Sequence, residues 1–114
     1  PNSLYISVHQ NQFPQSQYHG AQIFYSQNLP DSKELAQTIQ DAFVQMLQPD
    51  NTREIKPAQK NLFLLYKATV PAVIVECGFL SNPTEAQQLA SDAYQSKVAF
   101  TIFSGIVQYL GKES

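Results

Sequence analysis

Two short apolar runs constrain the fold of this chain more than any other feature. Residues 62–65 are Leu-Phe-Leu-Leu, and residues 72–75 are Ala-Val-Ile-Val. Both runs are brief and are flanked by Pro71 or by polar turns, so both are predicted to be buried strands rather than helices. A strand that is apolar on both faces must be covered on both sides. The sequence therefore predicts a sheet with packed layers above and below it.

Further strands and one amphipathic helix precede these runs. Residues 4–8 alternate between apolar and polar side chains, and residues 21–25 are rich in β-forming side chains, so each predicts a strand. Asp31 or Ser32 is placed to cap a helix that ends at Pro49. The predicted apolar face of this helix consists of Leu35, Ala36, Ile39, Ala42, Phe43, Met46 and Leu47.

Two helices are predicted after the last strand. The segment 82–85, Asn-Pro-Thr-Glu, combines a cap, a first-turn proline and an acidic residue, and predicts a short helix to about residue 90. Asp92 opens a final helix with a predicted apolar face of Tyr94, Val98, Ala99, Ile102, Phe103, Ile106 and Leu110. This order of elements predicts the α/β class, with an open, mostly parallel sheet and helices on both faces.

Length and charge exclude several classes of function. The chain has 114 residues and a net charge of −2, and its seven Lys and Arg are scattered. It therefore lacks the basic stripe that would favour nucleic acid or anionic lipid. No apolar run approaches the ~20 residues needed to cross a bilayer. The chain opens at Pro1 without a signal peptide, so a processed or trimmed piece of one domain is expected.

Polar residues follow two predicted strands where those strands end. His9 follows the first strand, and Glu76 follows the run 72–75. Ligands in open α/β sheets gather beyond the carboxyl ends of strands, and a carboxylate beside apolar residues is the usual setting of a general base. These patterns leave a second interpretation open, in which Glu76 only accepts hydrogen bonds from the adjacent turn. For His9 they favour a hydrogen bond to the backbone over a metal ligand.

The other reactive side chains carry less information. The single cysteine, Cys77, excludes an internal disulfide and a Cys-rich zinc cluster. The neighbouring carboxylate of Glu76 would raise the pKa of its thiol and suppress its nucleophilicity. His19 lies in a polar loop and is predicted to be solvated. The chain contains no Gly-rich phosphate loop, nucleophile elbow or HExxH motif.

Taken together and in order, the segments resemble the zinc-dependent N-acetylmuramoyl-L-alanine amidases of the amidase family 3 type. The matching patterns are Ser-x-His-x-Asn at Ser7, His9 and Asn11, Gly-x-x-x-x-Tyr at 20–25, Leu-Ala-x-x-Ile-Gln at 35–40, Arg-x-x-Lys at Arg53 and Lys56, Pro-Ala-x-x-x-Glu-x-Gly-Phe-Leu-Ser-Asn at 71–82, and Tyr-Gln-x-x-x-Ala at 94–99. The resemblance runs from about Leu4 to Tyr109. It looks closest to the spore-cortex amidases of endospore formers.

The resemblance implies hydrolysis of the amide between N-acetylmuramic acid and L-alanine in peptidoglycan. His9 matches the last histidine ligand of the family's zinc, and Glu76 matches the catalytic glutamate. Asn11 and Arg53 match positions expected to bind substrate or to support the site. In such a site Zn²⁺, held by two histidines and a glutamate, activates a water whose proton the catalytic glutamate takes. No organic cofactor is expected.

The resemblance also exposes a gap at the start of the chain. The family's first zinc ligands, a histidine in a His-Gly-Gly segment and a glutamate on the next helix, lie upstream of the Ser-x-His strand and have no match here. Gln12 also replaces the small residue usual at that position. Residues 1–114 are therefore expected to be the C-terminal part of a single amidase catalytic domain, with a sheet truncated at its N-terminus.

These expectations separate the fragment from its parent protein. The parent is expected to be an exported enzyme of a bacterial cell wall or envelope that acts on peptidoglycan. The fragment alone is expected to bind zinc weakly, to be inactive, and to self-associate through apolar surface left exposed by the truncation. The alternative is a catalytically incomplete amidase-like module that binds wall fragments or a partner protein.

Overall fold

The computed structural model describes residues 3–11, 20–59, 62–79, 87 and 91–113. Its strands are β1 (Tyr5–Asn11), β2 (Gln22–Tyr25), β3 (Lys56–Pro57) and β4 (Ala72–Phe79). Its helices are α1 (Pro30–Met46), α2 (Phe63–Tyr66) and α3 (Asp92–Glu113). The helix predicted to begin near Asn82 falls outside the described residues.

The described strands form one sheet in the order β1-β4-β2-β3. β1 runs parallel to β4, and β2 runs parallel to β3, whereas β2 and β4 are antiparallel. The sheet is therefore mostly parallel, as predicted. In the described part of the chain β1 is an edge strand, because β4 is its only neighbour in that order.

Side-chain alternation along β4 separates the two faces of the sheet. Val73 and Val75 point into the larger core, where α1 and α3 pack on one face. Ala72 and Ile74 belong to a smaller cluster on the other face, around Leu65 of α2. Helices therefore lie on both faces, which confirms the predicted fold class. The larger cluster includes Ala21, Ile23, Leu35, Ala36, Ile39, Phe43, Val98, Ile102 and Tyr109.

Helices α1 and α3 approach each other closely at Gly105. A Cβ atom at Gly105 would lie 2.9 Å from the Cα atom of Ile39, so a larger residue would displace the backbone of α1. Glycine at this position therefore lets the two helices pack in direct contact. Neither α3 nor any other described helix combines the length and apolar content needed to span a membrane.

The prediction of a strand at residues 62–65 is wrong, because Phe63–Tyr66 forms the short helix α2. The Tyr66 amide donates to the Leu62 carbonyl at 2.9 Å, which closes one helical turn. Leu65 is fully buried while Leu64 is 67% exposed, so only one side of this segment packs against the rest of the chain. The Asn28 side chain donates to the carbonyls of Tyr66 and Ala68 and satisfies the helix end.

The predicted cap of the first long helix is also wrong. Helix α1 begins at Pro30, before both Asp31 and Ser32, and Leu29 occupies the N-cap position. Proline suits the first helical turn because its fixed φ is already helical and the missing N–H needs no partner there. The Ser32 hydroxyl instead accepts a hydrogen bond from the Ala72 amide at 3.0 Å and ties α1 to β4.

The predicted apolar face of the last helix is only partly correct. Val98 and Ile102 are buried as predicted, but Phe103 is 61% exposed and Leu110 is 49% exposed. Ala99 is exposed as well. Helix α3 carries apolar residues on two flanks, and the contact at Gly105 selects which flank faces α1. In α1, Met46 is the one residue of the predicted apolar face that is exposed, with 44% of its surface accessible.

Candidate active site

The structure brings His9 and Glu76 to neighbouring positions on adjacent strands. In the parallel pairing of β1 with β4, His9 lies opposite Glu76. Paired residues of adjacent strands point to the same face, and the strands lie ~4.8 Å apart. The pairing becomes irregular after these residues, because the next partners are Asn11 and Phe79. Such irregularities often redirect side chains beside active sites. The two side chains thus share one face. Both residues lie in the carboxyl-terminal halves of their strands, whereas the sequence analysis expected the strands to end before them.

The ring of His9 is oriented by a residue of its own strand. His9 is exposed, and its Nε2 atom lies 2.7 Å from the Ser7 hydroxyl oxygen, at hydrogen-bond distance. A hydrogen bond to one ring nitrogen fixes the ring orientation, which is how metal-binding histidines are commonly held. This contact leaves Nδ1 as the candidate metal-binding atom of His9.

Glu76 is half-buried, and its environment favours proton uptake. Burial raises the pKa of the Glu76 carboxyl above its ordinary value, while the positive charges of His9 and Arg53 act in the opposite direction. The net change is upward. A carboxylate with a raised pKa accepts a proton more readily near neutral pH, which suits a general base.

Arg53 is hydrogen-bonded to Gln22, a residue near this site that the sequence analysis did not single out. Its Nη1 atom donates to the Gln22 side-chain oxygen at 3.2 Å. Gln22 lies opposite Glu76 in the antiparallel pairing of β2 with β4, and it is only 3% exposed. A glutamine between Ala21 and Ile23, both buried in the core, was the available signal, since buried polar side chains need partners.

Backbone contacts hold the loop that carries Arg53. The Arg53 amide donates to the Asn51 side-chain oxygen at 2.8 Å, and the Gln40 side chain donates to the Arg53 carbonyl at 3.0 Å. Asn51 also donates to the Ala21 carbonyl at 3.1 Å. Helix α1 and the start of β2 therefore both anchor the loop from which Arg53 extends.

Asn11 and Cys77 are the remaining residues that the sequence analysis considered near this site. Asn11 is the last residue of β1, and its side chain lies outside the described part of the structure, so its role stays a prediction. Cys77 is buried in the larger core, on the opposite face from Glu76. Burial and the Glu76 charge raise the pKa of its thiol to about 11. This agrees with the expectation of an unreactive cysteine.

The described residues do not complete a metal site. No group of three or more His, Cys, Asp or Glu side chains that could hold a metal occurs among them. His9 fits a zinc ligand by its exposure and its hydrogen bond to Ser7. A catalytic zinc requires three protein ligands, and His9 would supply one of them.

An apolar groove of about 470 Å³ runs beside this site, between β1 and α3. Its lining includes Val8, Cys77, Val98, Ile102, Phe103 and Ile106, and His9 borders it. Val8 is 53% exposed although it belongs to a strand. The edge strand that carries His9 is therefore flanked by unburied apolar surface.

The fold is an α/β domain in which His9 and Glu76 are paired on two adjacent parallel strands. The family described as N-acetylmuramoyl-L-alanine amidase (Amidase_3) matches residues 1–108. The chain belongs to this family.

Individual relatives agree with this assignment. A germination-specific N-acetylmuramoyl-L-alanine amidase of Bacillus subtilis is 40% identical over 93% of this chain and 44% of the relative. The CwlD amidase of Clostridioides difficile, solved in complex with the GerS lipoprotein, superposes with a TM-score of 0.90 at 42% identity, over 95% of this chain and 54% of that one. An N-acetylmuramoyl-L-alanine amidase of Clostridium difficile 630 has a TM-score of 0.87 at 31% identity, over 97% and 59%. The chain spans about half the length of these relatives.

Proposed function

We propose that the protein containing this chain hydrolyses the amide bond between N-acetylmuramic acid and L-alanine in peptidoglycan. The observation that carries the proposal is the pairing of His9 with Glu76 on adjacent strands, which puts a histidine beside a carboxylate. The names of the relatives, which are N-acetylmuramoyl-L-alanine amidases, supply the reaction and the substrate.

In this reaction Glu76 is the general base. Its carboxylate takes a proton from the attacking water as the water oxygen adds to the amide carbonyl carbon. Glu76 then gives that proton to the L-alanine nitrogen as the carbon–nitrogen bond breaks, so one water is consumed for each bond cleaved. The half-buried position of Glu76 supports this role because burial raises the pKa of the carboxyl.

His9 is proposed as one zinc ligand, with the others supplied by parts of the protein outside this chain. Bound zinc would supply Lewis acidity, making a water more acidic and polarising the amide carbonyl. Asn11 and Arg53 are proposed to bind substrate or to support the site. The hydrogen bond between Ser7 and His9 supports a ligand role because metal-binding histidines are held in this way.

Residues 1–114 are proposed to form the C-terminal part of a single catalytic domain. The relatives are about twice as long, since the chain covers 44% and 54% of two of them. The edge strand β1 and the apolar groove beside it are suited to pairing with the remaining part of the domain. Such pairing would bring further residues next to His9.

The site of action is proposed to be the bacterial cell wall, with the protein exported to reach it. Several relatives are named cell wall amidases. The germination-specific relative favours spore-cortex peptidoglycan over vegetative wall as the substrate. The protein is then proposed to be made during sporulation.

A second candidate function is a non-catalytic module that binds wall fragments or a partner protein. The observation that favours it is the lack of a group of three metal-ligating side chains in the described part of the chain. The proposed parent enzyme explains the same observation if the other ligands lie in the remainder of the domain.

Zinc content and amide hydrolysis of the complete protein distinguish these functions. We expect one zinc per molecule and release of peptides with a free L-alanine amino group from purified peptidoglycan. His9→Ala is expected to lose both the metal and the activity. The matched control is His19→Ala, which removes the chain's other histidine and is expected to keep both.

A complete protein that folds but neither binds zinc nor releases peptides would overturn the enzymatic proposal and favour the binding module. Retention of zinc by His9→Ala would remove His9 from the metal site while leaving the reaction itself in place.

A further inference from the structure

The side chain of Gln22 links the loop carrying Arg53 to the centre of the sheet. Its amide nitrogen donates to the Glu54 carbonyl at 2.7 Å, and its amide oxygen accepts from Arg53 Nη1 at 3.2 Å. Both ends of a side chain that is 97% buried are therefore used by two consecutive loop residues. The bond to the Glu54 backbone fixes the direction in which the Gln22 oxygen points.

This link ends beside the proposed general base. Gln22 and Glu76 are directly opposite each other in the antiparallel pairing of β2 with β4. The Cβ atoms of such pairs are ~4.5–5.5 Å apart, and their side chains extend from the same face. An arginine held at the Gln22 oxygen therefore lies within charge–charge range of the Glu76 carboxylate.

We propose that Gln22 is a positioning residue of the hydrolytic site, which holds the Arg53 guanidinium beside Glu76 and so orients the carboxylate for proton transfer. The inference rests on the proposed function, because it assumes that Glu76 takes part in amide hydrolysis.

The physical argument is one of pre-organisation. Arginine has a long side chain with many rotamers, and a flexible cation would orient a neighbouring carboxylate poorly. The guanidinium is planar and its donors have fixed directions, so a single well-placed acceptor restricts its orientation. A misplacement of ~1 Å at a reacting group can reduce a rate by as much as ~10²-fold. Loss of the acceptor should therefore appear in kcat.

The test is Gln22→Met in the complete protein, because methionine has nearly the length of glutamine but no hydrogen bonds to offer. Gln40→Met is the matched control. Gln40 is likewise 3% exposed, and its side chain donates to a carbonyl of the same loop, that of Arg53. Gln40 contacts the Arg53 backbone, whereas Gln22 also contacts the guanidinium. A general loss of stability or of loop anchoring should thus affect both variants alike.

We expect Gln22→Met to lower kcat by about 10-fold, with KM and zinc content within about twofold of the wild type. Gln40→Met is expected to lower the unfolding midpoint by a similar amount while keeping kcat within about twofold. In an Arg53→Met background, Gln22→Met should reduce kcat no further, because the group that it positions is absent.

Arg53→Lys provides a second route if Gln22→Met does not fold. Lysine keeps the positive charge but lacks the planar guanidinium, so kcat should again fall while KM changes little. Full kcat in Gln22→Met, an equal loss in Gln40→Met, or additive effects of Gln22→Met and Arg53→Met would each overturn the inference. If Gln22→Met does not fold, full kcat in Arg53→Lys would overturn the inference. An inactive wild-type protein would instead overturn the proposed function.

Discussion

At the scale of single residues, two effects act in opposite directions on the pKa of the Glu76 carboxyl. Its carboxyl is half-buried, which disfavours the charged form, yet it lies opposite His9 and near Arg53, whose charges favour that form. The net result is a raised pKa of the Glu76 carboxyl. This balance suits a group that must take up a proton and release it in one catalytic cycle.

Replacing the carboxylate tests this role directly. In the complete protein, Glu76→Gln is expected to reduce amide hydrolysis by ~10²–10⁴-fold while zinc stays bound, because the amide has nearly the same shape but cannot accept the proton of the water. Product release from purified peptidoglycan measures the effect. Glu54→Gln is the matched control, since Glu54 is exposed and only its backbone carbonyl accepts from Gln22. Near-normal turnover of Glu76→Gln would remove Glu76 from the mechanism.

Cys77 is expected to be unreactive in the folded chain. Its thiol is 4% exposed and has a pKa of about 11, so few molecules carry the thiolate at neutral pH. Iodoacetamide labelling, followed by mass spectrometry, should be slow near pH 7.5 in the native protein and should become fast after unfolding. Labelling should also accelerate as the pH rises towards the pKa. Rapid stoichiometric labelling of native protein at neutral pH would contradict the buried position.

At the scale of secondary-structure elements, the contact between α1 and α3 determines how the larger core closes. Gly105 permits backbone contact with Ile39, and the buried side chains of α3 follow from that contact. The opposite flank of α3, which includes Phe103, remains exposed beside β1. One small residue thus decides which apolar flank forms the core and which lines the groove.

Alanine substitutions at two glycines of α3 separate packing from helix propensity. Gly105→Ala is expected to destabilise the protein by about 1–3 kcal/mol, because the new Cβ would meet the Ile39 backbone at 2.9 Å. Gly111→Ala is expected to stabilise it by about 0.5–1 kcal/mol, since a Cβ at Gly111 would meet no atom within 4 Å. Denaturant unfolding measures both changes. Equal stabilisation by the two substitutions would contradict the close approach.

At the scale of the whole molecule, the chain has apolar surface along the edge strand that carries His9. The groove lined by Val8 and Phe103 adjoins the free side of β1 in the described sheet. Exposed strand edges next to apolar surface favour association with another chain or segment. In the complete protein this surface is proposed to be covered by the remainder of the domain.

The isolated chain is therefore expected to self-associate through this groove. Light scattering after size exclusion should show dimers or larger species, and Phe103→Glu should shift them towards monomer because it places a charge in the apolar surface. Leu64→Glu is the matched control, since Leu64 is 67% exposed but lies on α2, away from the groove. A monomeric wild-type chain, or equal effects of the two substitutions, would contradict this use of the groove.

Local patterns in the sequence determined several elements of this protein. The periodicity of residues 35–47 predicted α1, and the apolar run 72–75 predicted the core of β4. The helix and the core of the strand were predicted correctly because side-chain periodicity depends on neighbours in the sequence. The predicted strand ends were wrong, because β1 extends to Asn11 and β4 extends to Phe79, so His9 and Glu76 lie within their strands.

Only the tertiary structure decided which elements meet. The pairing of β1 with β4 places His9 opposite Glu76, although the two residues are 67 positions apart in sequence. The bond from Gln22 to Glu54 spans 32 residues, and the helical form of Phe63–Tyr66 follows from burial on one side. Contacts of this kind depend on the relative positions of distant segments, and local periodicity carries no information about them.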